Sequence, residues 1–105
     1  MQYWPHVEPK SGFNLIGGTR RIQIATLTLA QNEKIGSEKK LYATSDNWLY
    51  VLSGNGTAIV EHEKVDLNAG AMLLIKAGET HEIYNPGEQD LKLFSIYTPP
   101  VFQHK

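Results

Sequence analysis

The amino-acid sequence predicts an all-β protein, a small antiparallel sandwich or barrel. Three observations predict it. Apolar residues recur with period 2, and no helical period of useful length appears. The alternating runs are short and rich in β-branched and aromatic side chains. Gly, Pro or Asn separate them at spacings of roughly ten residues, the signature of antiparallel sandwiches and barrels.

Each run has its own reason. Ile22, Ile24, Thr26 and Thr28 alternate with Gln23, Ala25, Leu27 and Leu29, which reads as a strand covered on both faces. Trp48–Leu52 is apolar on both faces and stops at Ser53-Gly54-Asn55-Gly56. Asn-Gly between two apolar runs predicts a hairpin, because both residues tolerate positive φ, with Thr57–Val60 as the return strand. Glu61-His62-Glu63-Lys64 is a polar reversal. Val65 and Leu67 alternate with Asp66 into the turn Asn68-Ala69-Gly70. Met72–Ile75 is a buried run, reversed by Lys76-Ala77-Gly78-Glu79. Thr80–Asn85 is the next strand, ended by Pro86-Gly87. Leu91, Leu93, Ser95 and Tyr97 alternate with Lys92, Phe94 and Ile96 in the last long strand, before Pro99-Pro100 ends regular pairing. Met1–Gly12 and Gln31–Thr44 are less patterned, and the second reads as a long surface connection.

The chain has 105 residues, enough for one domain with a core of its own. It has no cysteine, so disulfides, thiolate metal sites and a cysteine nucleophile are excluded. Ten basic residues against eleven acidic ones give a net charge of −1, which argues against nucleic acid or an anionic membrane as a partner. No apolar run approaches the ~18–20 residues of a membrane helix. The polar and aromatic start of the chain has no signal-peptide character. A cytoplasmic protein is the expectation.

The stretch Gly70-Ala-Met-Leu-Leu-Ile-Lys-Ala-Gly78-Glu-Thr-His81-Glu-Ile-Tyr-Asn85 resembles the second cupin motif, G-x5-P-x-G-x2-H-x3-N. Gly70, Gly78, His81 and Asn85 stand at the family spacing, and Lys76 replaces the proline. Asn47-Trp-Leu-Tyr-Val-Leu-Ser-Gly54 is similar to the end of the first motif. The resemblance runs from Leu27 to Val101. It implies a small antiparallel double-stranded β-helix barrel of the cupin or jelly-roll type, open at one end around a pocket. Residues 1–105 then form a single barrel domain, with 1–12 an extension packing on or across it.

Metal-binding cupins use H-x-H-x3/4-E in the first motif together with the histidine of the second. Here the glutamate position is Asn47. The histidine positions are Lys40 and Tyr42 or, one residue along, Leu41 and Ala43. Only His81 remains of four ligands. One imidazole and a neutral amide make a poor divalent-metal site, so no cofactor is expected, and a divalent metal would need rearranged ligands. His81, Asn47 and Tyr42 are the expected ligand-binding residues, with no catalytic residue assigned.

Other features carry less. Alternation places Ile83 and Asn85 on the face of His81, and Leu49 and Val51 on the face of Asn47. His62 reads as a solvated turn residue and His104 as part of a frayed end, while His6 has no legible role. Arg20-Arg21 is too small a cluster for nucleic acid. No G-x-S-x-G elbow and no phosphate loop before a helix is present. Trp48 and Tyr50, on the face opposite Asn47, predict a homodimer through an outer sheet face, joined by Tyr3-Trp4. The leading functional expectation is a small-molecule-binding cupin without a tight metal. The alternatives are a metal-independent epimerase- or isomerase-like enzyme, with His81 as acid or base and Tyr42 or Tyr97 as partner, and a weakly metal-dependent dioxygenase- or isomerase-like enzyme.

Overall fold

The structure, a computed structural model, describes residues 1–37 and 44–102. Among these residues the regular elements are nine strands: β1 (Gly12–Gly18), β2 (Gln23–Leu29), β3 (Lys34–Ser37), β4 (Asp46–Ser53), β5 (Asn55–Val60), β6 (Glu63–Asn68), β7 (Met72–Ile75), β8 (His81–Tyr84) and β9 (Leu91–Thr98). No helix occurs among the described residues, so none is long and apolar enough to cross a membrane. The strands form two antiparallel sheets, ordered β1-β2-β9-β4-β7 and β3-β8-β5-β6.

The core lies between the sheets and follows from the alternation. In the larger sheet Leu27, Leu93 and Val51 form one inward row. Ala25, Ser95, Leu49 and Leu73 form the next, and Gln23, Tyr97, Asn47 and Ile75 the one after. The smaller sheet contributes Ala58, Leu67 and Ile83, all buried. The interior is therefore apolar at the Leu29–Leu91 end and polar at the Gln23–Asn47 end.

Two expectations are corrected. Asn55-Gly56 is not a hairpin turn. β4 and β5 lie in different sheets, and the chain crosses between them at Gly54, whose φ is +85°. A Cβ at Gly54 would meet the Asp90 carbonyl oxygen at 2.3 Å, so glycine is required there. Asn55 and Gly56 open β5, and Leu91 packs into the space a side chain at Gly56 would fill. The tight hairpin is one step later. Glu61 and His62 both adopt positive φ between the paired residues Val60 and Glu63, the geometry whose twist matches flanking strands.

The second correction concerns Gln31–Thr44, expected to be connection throughout. Lys34–Ser37 pairs with β8 as an edge strand. The sequence carried no expectation for β1, where a register shift between Leu15 and Gly17 breaks the alternation that would have marked a strand.

The segment before β1 lies along the outside of the larger sheet. Thr28 Oγ1 donates to the Pro9 carbonyl at 3.2 Å, and the Trp4 ring lies so close over Gly17 that a Cβ there would be 2.9 Å from it. Thr26, which points to this outer face, is fully buried.

Candidate functional site

The polar end of the barrel is the candidate site. Strand alternation and register build it. Asn47 on β4 is directly paired with Tyr97 on β9, which is directly paired with Gln23 on β2, so all three point inward in one row. His81 opens β8 in the facing sheet and is also buried. His81 and Asn47 line one cavity with Phe13, Leu49, Ser95 and Tyr97. Two expected site residues are thus brought together. The third, Tyr42, lies outside the described residues, as do Lys40, Leu41, Ala43 and His104.

The hydrogen bonding is specific. The Ser95 hydroxyl donates to Asn47 Oδ1 at 2.7 Å, with both residues almost wholly buried. Burial holds the His81 imidazole below its usual range, because the charged form loses hydration. A hydrogen bond to the backbone of Glu79 partly opposes this. Burial therefore favours the neutral imidazole. The cavity leaves about 20 Å³ for an occupant, enough for one ordered water, which needs ~10–15 Å³.

The chain beyond β9 closes this end. Phe102 packs on Phe13 and Tyr97, with ring centroids 5.0 and 5.2 Å away. Gln23 Oε1 accepts the backbone N–H groups of Val101 and Phe102 at 2.8 Å each, and Gln23 Nε2 donates to the Phe102 carbonyl. The Ser45 hydroxyl donates to the Pro99 carbonyl at 2.7 Å. A fully buried glutamine thus clamps the segment that carries the aromatic cover.

Sequence reasoning missed Ser95 as Asn47's partner, although the inward alternation of its strand carried that signal. Gln23 and Phe102 carried no signal, since their pairing spans 79 positions of the chain.

The other motif residues are structural. Asn85 Nδ2 donates to the Leu29 and Gln89 carbonyls, both at 2.8 Å, while its Oδ1 accepts the Gly87 N–H at 3.0 Å. It staples the β8–β9 connection and leaves the cavity alone. Lys76 replaces the family proline where an N–H is used: it donates to Glu79 Oε1 at 2.7 Å. His62 is exposed in its turn.

A divalent cation fits this donor set poorly. Among the described residues no three His, Asp or Glu side chains come together. Among the described residues the cavity offers one imidazole, one amide and two hydroxyls, without a carboxylate.

A family model described as a Cupin domain matches residues 27–97. The uncharacterized protein YrkC of Bacillus subtilis (strain 168) is 30% identical over 87 residues, covering 77% of this chain and 46% of that protein. The chain thus spans about half the length of that curated relative. The crystal structure of BH2720 from Bacillus halodurans is similar with a TM-score of 0.83 at 26% identity, covering 90% of this chain and 74% of that one. KdgF from Halomonas sp. gives 0.77 at 19% identity, with 95% and 88% covered. A putative sugar phosphate isomerase from Acidithiobacillus ferrooxidans gives 0.66 at 24%, with 75% and 51% covered. The last two likenesses concern the fold alone.

Proposed function

The chain belongs to the cupin family, and from that premise we propose that it is a binding module that takes a small polar or carboxylate-bearing molecule at the polar end of its barrel, without a resident metal. One observation carries the reading. His81, Asn47, Ser95 and Tyr97 are buried together at one end of the barrel, while the Leu29–Leu91 end of the same core is aliphatic. Buried polar groups cost free energy unless paired, and apolar side chains would fill this layer at no such cost. A neutral imidazole, an amide and two hydroxyls supply both donors and acceptors for an uncharged or singly anionic ligand. The cavity as it stands holds about 20 Å³, so on this reading a ligand larger than water enters only when Phe102, which packs on the lining residues Phe13 and Tyr97, moves aside.

The test uses protein purified without an affinity tag. Its metal content is measured, and melting temperature is followed against a panel of small carboxylates, sugar acids and sugar phosphates. The expected result is no stoichiometric metal, with a ligand-induced rise in Tm that His81→Ala abolishes. A stoichiometric metal retained through dialysis and lost in His81→Ala overturns the reading.

The lowered His81 pKa supports a second reading, a metal-independent epimerase- or isomerase-like enzyme. A neutral imidazole is ready to accept a proton, and Tyr97, which lines the same cavity, or Tyr42 would be the acid in this reading. Deuterium exchange into a stabilising sugar acid, lost in His81→Gln and in Tyr97→Phe, would select the enzyme over the binding module.

A further inference from the structure

Gln23 is 1% exposed, and of the wholly buried side chains among the described residues it is the largest polar one. Its strand otherwise turns Ala25, Leu27 and Leu29 inward. The Gln23 amide is used on one short stretch of chain. Oε1 accepts the N–H groups of Val101 and Phe102, and Nε2 donates to the Phe102 carbonyl. Gln23 therefore pairs with both backbone polar groups of a single residue. The ring of that same residue packs on Phe13 and Tyr97, at centroid separations typical of attractive aromatic pairs. β9 has ended at Thr98, so Gln23 and the two rings, rather than strand pairing, fix Phe102 in place.

A ligand is held in the same way, by a polar pair and a shaped apolar slot. Gln23, Tyr97 and Asn47 occupy one inward row, so the amide that reads Phe102 stands at the same end of the barrel as His81. Among the described residues no Asp, Glu, Lys or Arg lines the His81 cavity. A carboxylate drawn in there would lose its hydration without gaining a cation. An uncharged secondary amide instead brings one N–H and one carbonyl, which Gln23 Oε1 and Nε2 match. An aromatic ring attached to it would meet Phe13 and Tyr97 as the Phe102 ring does. Loss of Phe102 with nothing in its place would strand the buried Gln23 amide, which favours exchange of one occupant for another.

We propose that Gln23 is the specificity-determining residue of the polar end, and that its ligand is an uncharged aromatic amide about the size of one residue. The inference rests on the reading that this end takes a small molecule, and it narrows that reading from carboxylates to amides. Val101 and Phe102 occupy the site in cis. The ligand displaces them, with its ring against Phe13 and Tyr97 and its amide on Gln23. Its size follows from the slot, which a single residue fills. A tethered competitor acts at an effective concentration on the order of millimolar. The ligand's apparent affinity falls by the fraction of molecules whose site is vacant. Removing the Phe102 ring should therefore tighten binding without adding a contact.

The test uses the full chain and N-acetyl-L-phenylalanine amide as the probe. N-acetyl-L-phenylalanine, which carries a carboxylate, and N-acetyl-L-alanine amide, which lacks the ring, are the controls. In calorimetric titration Phe102→Gly should bind the probe about 10-fold or more tighter than the wild type does. The same variant should bind each control about 10-fold or more weakly than the probe. Gln23→Met in that background is close in volume but has no amide, and it should abolish the preference for amide over carboxylate. A second readout keeps Gln23 intact, so the outcome does not depend on how well a Gln23 variant folds. In Phe102→Gly the Gln23 side-chain amide resonances should shift on titration, and the probe's ring protons should show nuclear Overhauser contacts to Phe13 and Tyr97. Equal affinity of wild type and Phe102→Gly overturns the inference, and so do Gln23 resonances that stay still at saturation. A small acid or sugar phosphate that raises Tm through His81, indifferent to changes at Gln23 and Phe102, overturns it as well but leaves the binding-module reading standing. If neither amides nor acids bind any of these proteins, both readings fall.

Discussion

Replacing Ser95 by alanine removes one oxygen, yet the expected effect is large. The Ser95 hydroxyl is the donor to Asn47 Oδ1 at 2.7 Å, and the two residues are 1% and 2% exposed. Bulk solvent does not reach the pair. The variant forfeits a buried hydrogen bond and strands an amide oxygen, so Ser95→Ala should cost about 2 kcal/mol. In a domain of this size that lowers Tm by roughly 10 °C. Asn47→Leu should also destabilise, because it removes the acceptor and leaves the hydroxyl inside. The double variant Asn47→Leu/Ser95→Ala should lie close to wild type, since replacing both partners by apolar groups is nearly neutral. Urea denaturation of all four proteins gives the coupling directly, with about 0.5–3 kcal/mol expected for residues in contact. The stable double variant should also lose the ligand-induced rise in Tm. A Ser95→Ala change below ~0.5 kcal/mol, or two single changes that simply add, would refute the reasoning.

Gly54→Ala should destabilise by about 2–4 kcal/mol, since its φ of +85° and a Cβ 2.3 Å from a backbone oxygen offer no relief; urea denaturation measures this. Stability should depend on pH through His81. Burial lowers its folded pKa below the unfolded value near 6.5, so between the two the unfolded chain binds more protons. This contribution is fully present above pH 6.5 and is lost as pH falls through the folded value, and His81→Asn should flatten that part of a Tm–pH profile. Gln23→Leu removes the clamp on Val101 and Phe102 and should raise the rate at which diethyl pyrocarbonate modifies His81, with exposed His62 as the internal reference; mass spectrometry of the two peptides reads the ratio.

The long strands were legible because burial is alternate along them. Leu91, Leu93, Ser95 and Tyr97 are inward as their spacing predicts, and so are Asn47, Leu49 and Val51. His81 was legible from its motif. What could not be read has physical causes. A bulge in β1 hides the period, and Lys34–Ser37 is too short and polar to show one. Asn55-Gly56 carries strong local hairpin chemistry, yet long-range pairing decides which sheet a strand joins. Gln23 looked like one more alternating residue. Its role exists only because the chain returns to it beyond β9.

The central strand of the larger sheet is β9, flanked by β2 and β4, although eight strands precede it in sequence. This order constrains folding during synthesis. Until Leu91–Thr98 leaves the ribosome, β2 and β4 each lack a partner along one edge, and Leu27, Leu49 and Val51 lie in a half-built core. The β5–β6 hairpin can form as it emerges, because its contacts are local. The larger sheet must wait and then close loops of about forty to seventy residues, which makes its assembly slow. A chain stalled before residue 91 would therefore present two open strand edges at once, the kind of surface that pairs with other chains.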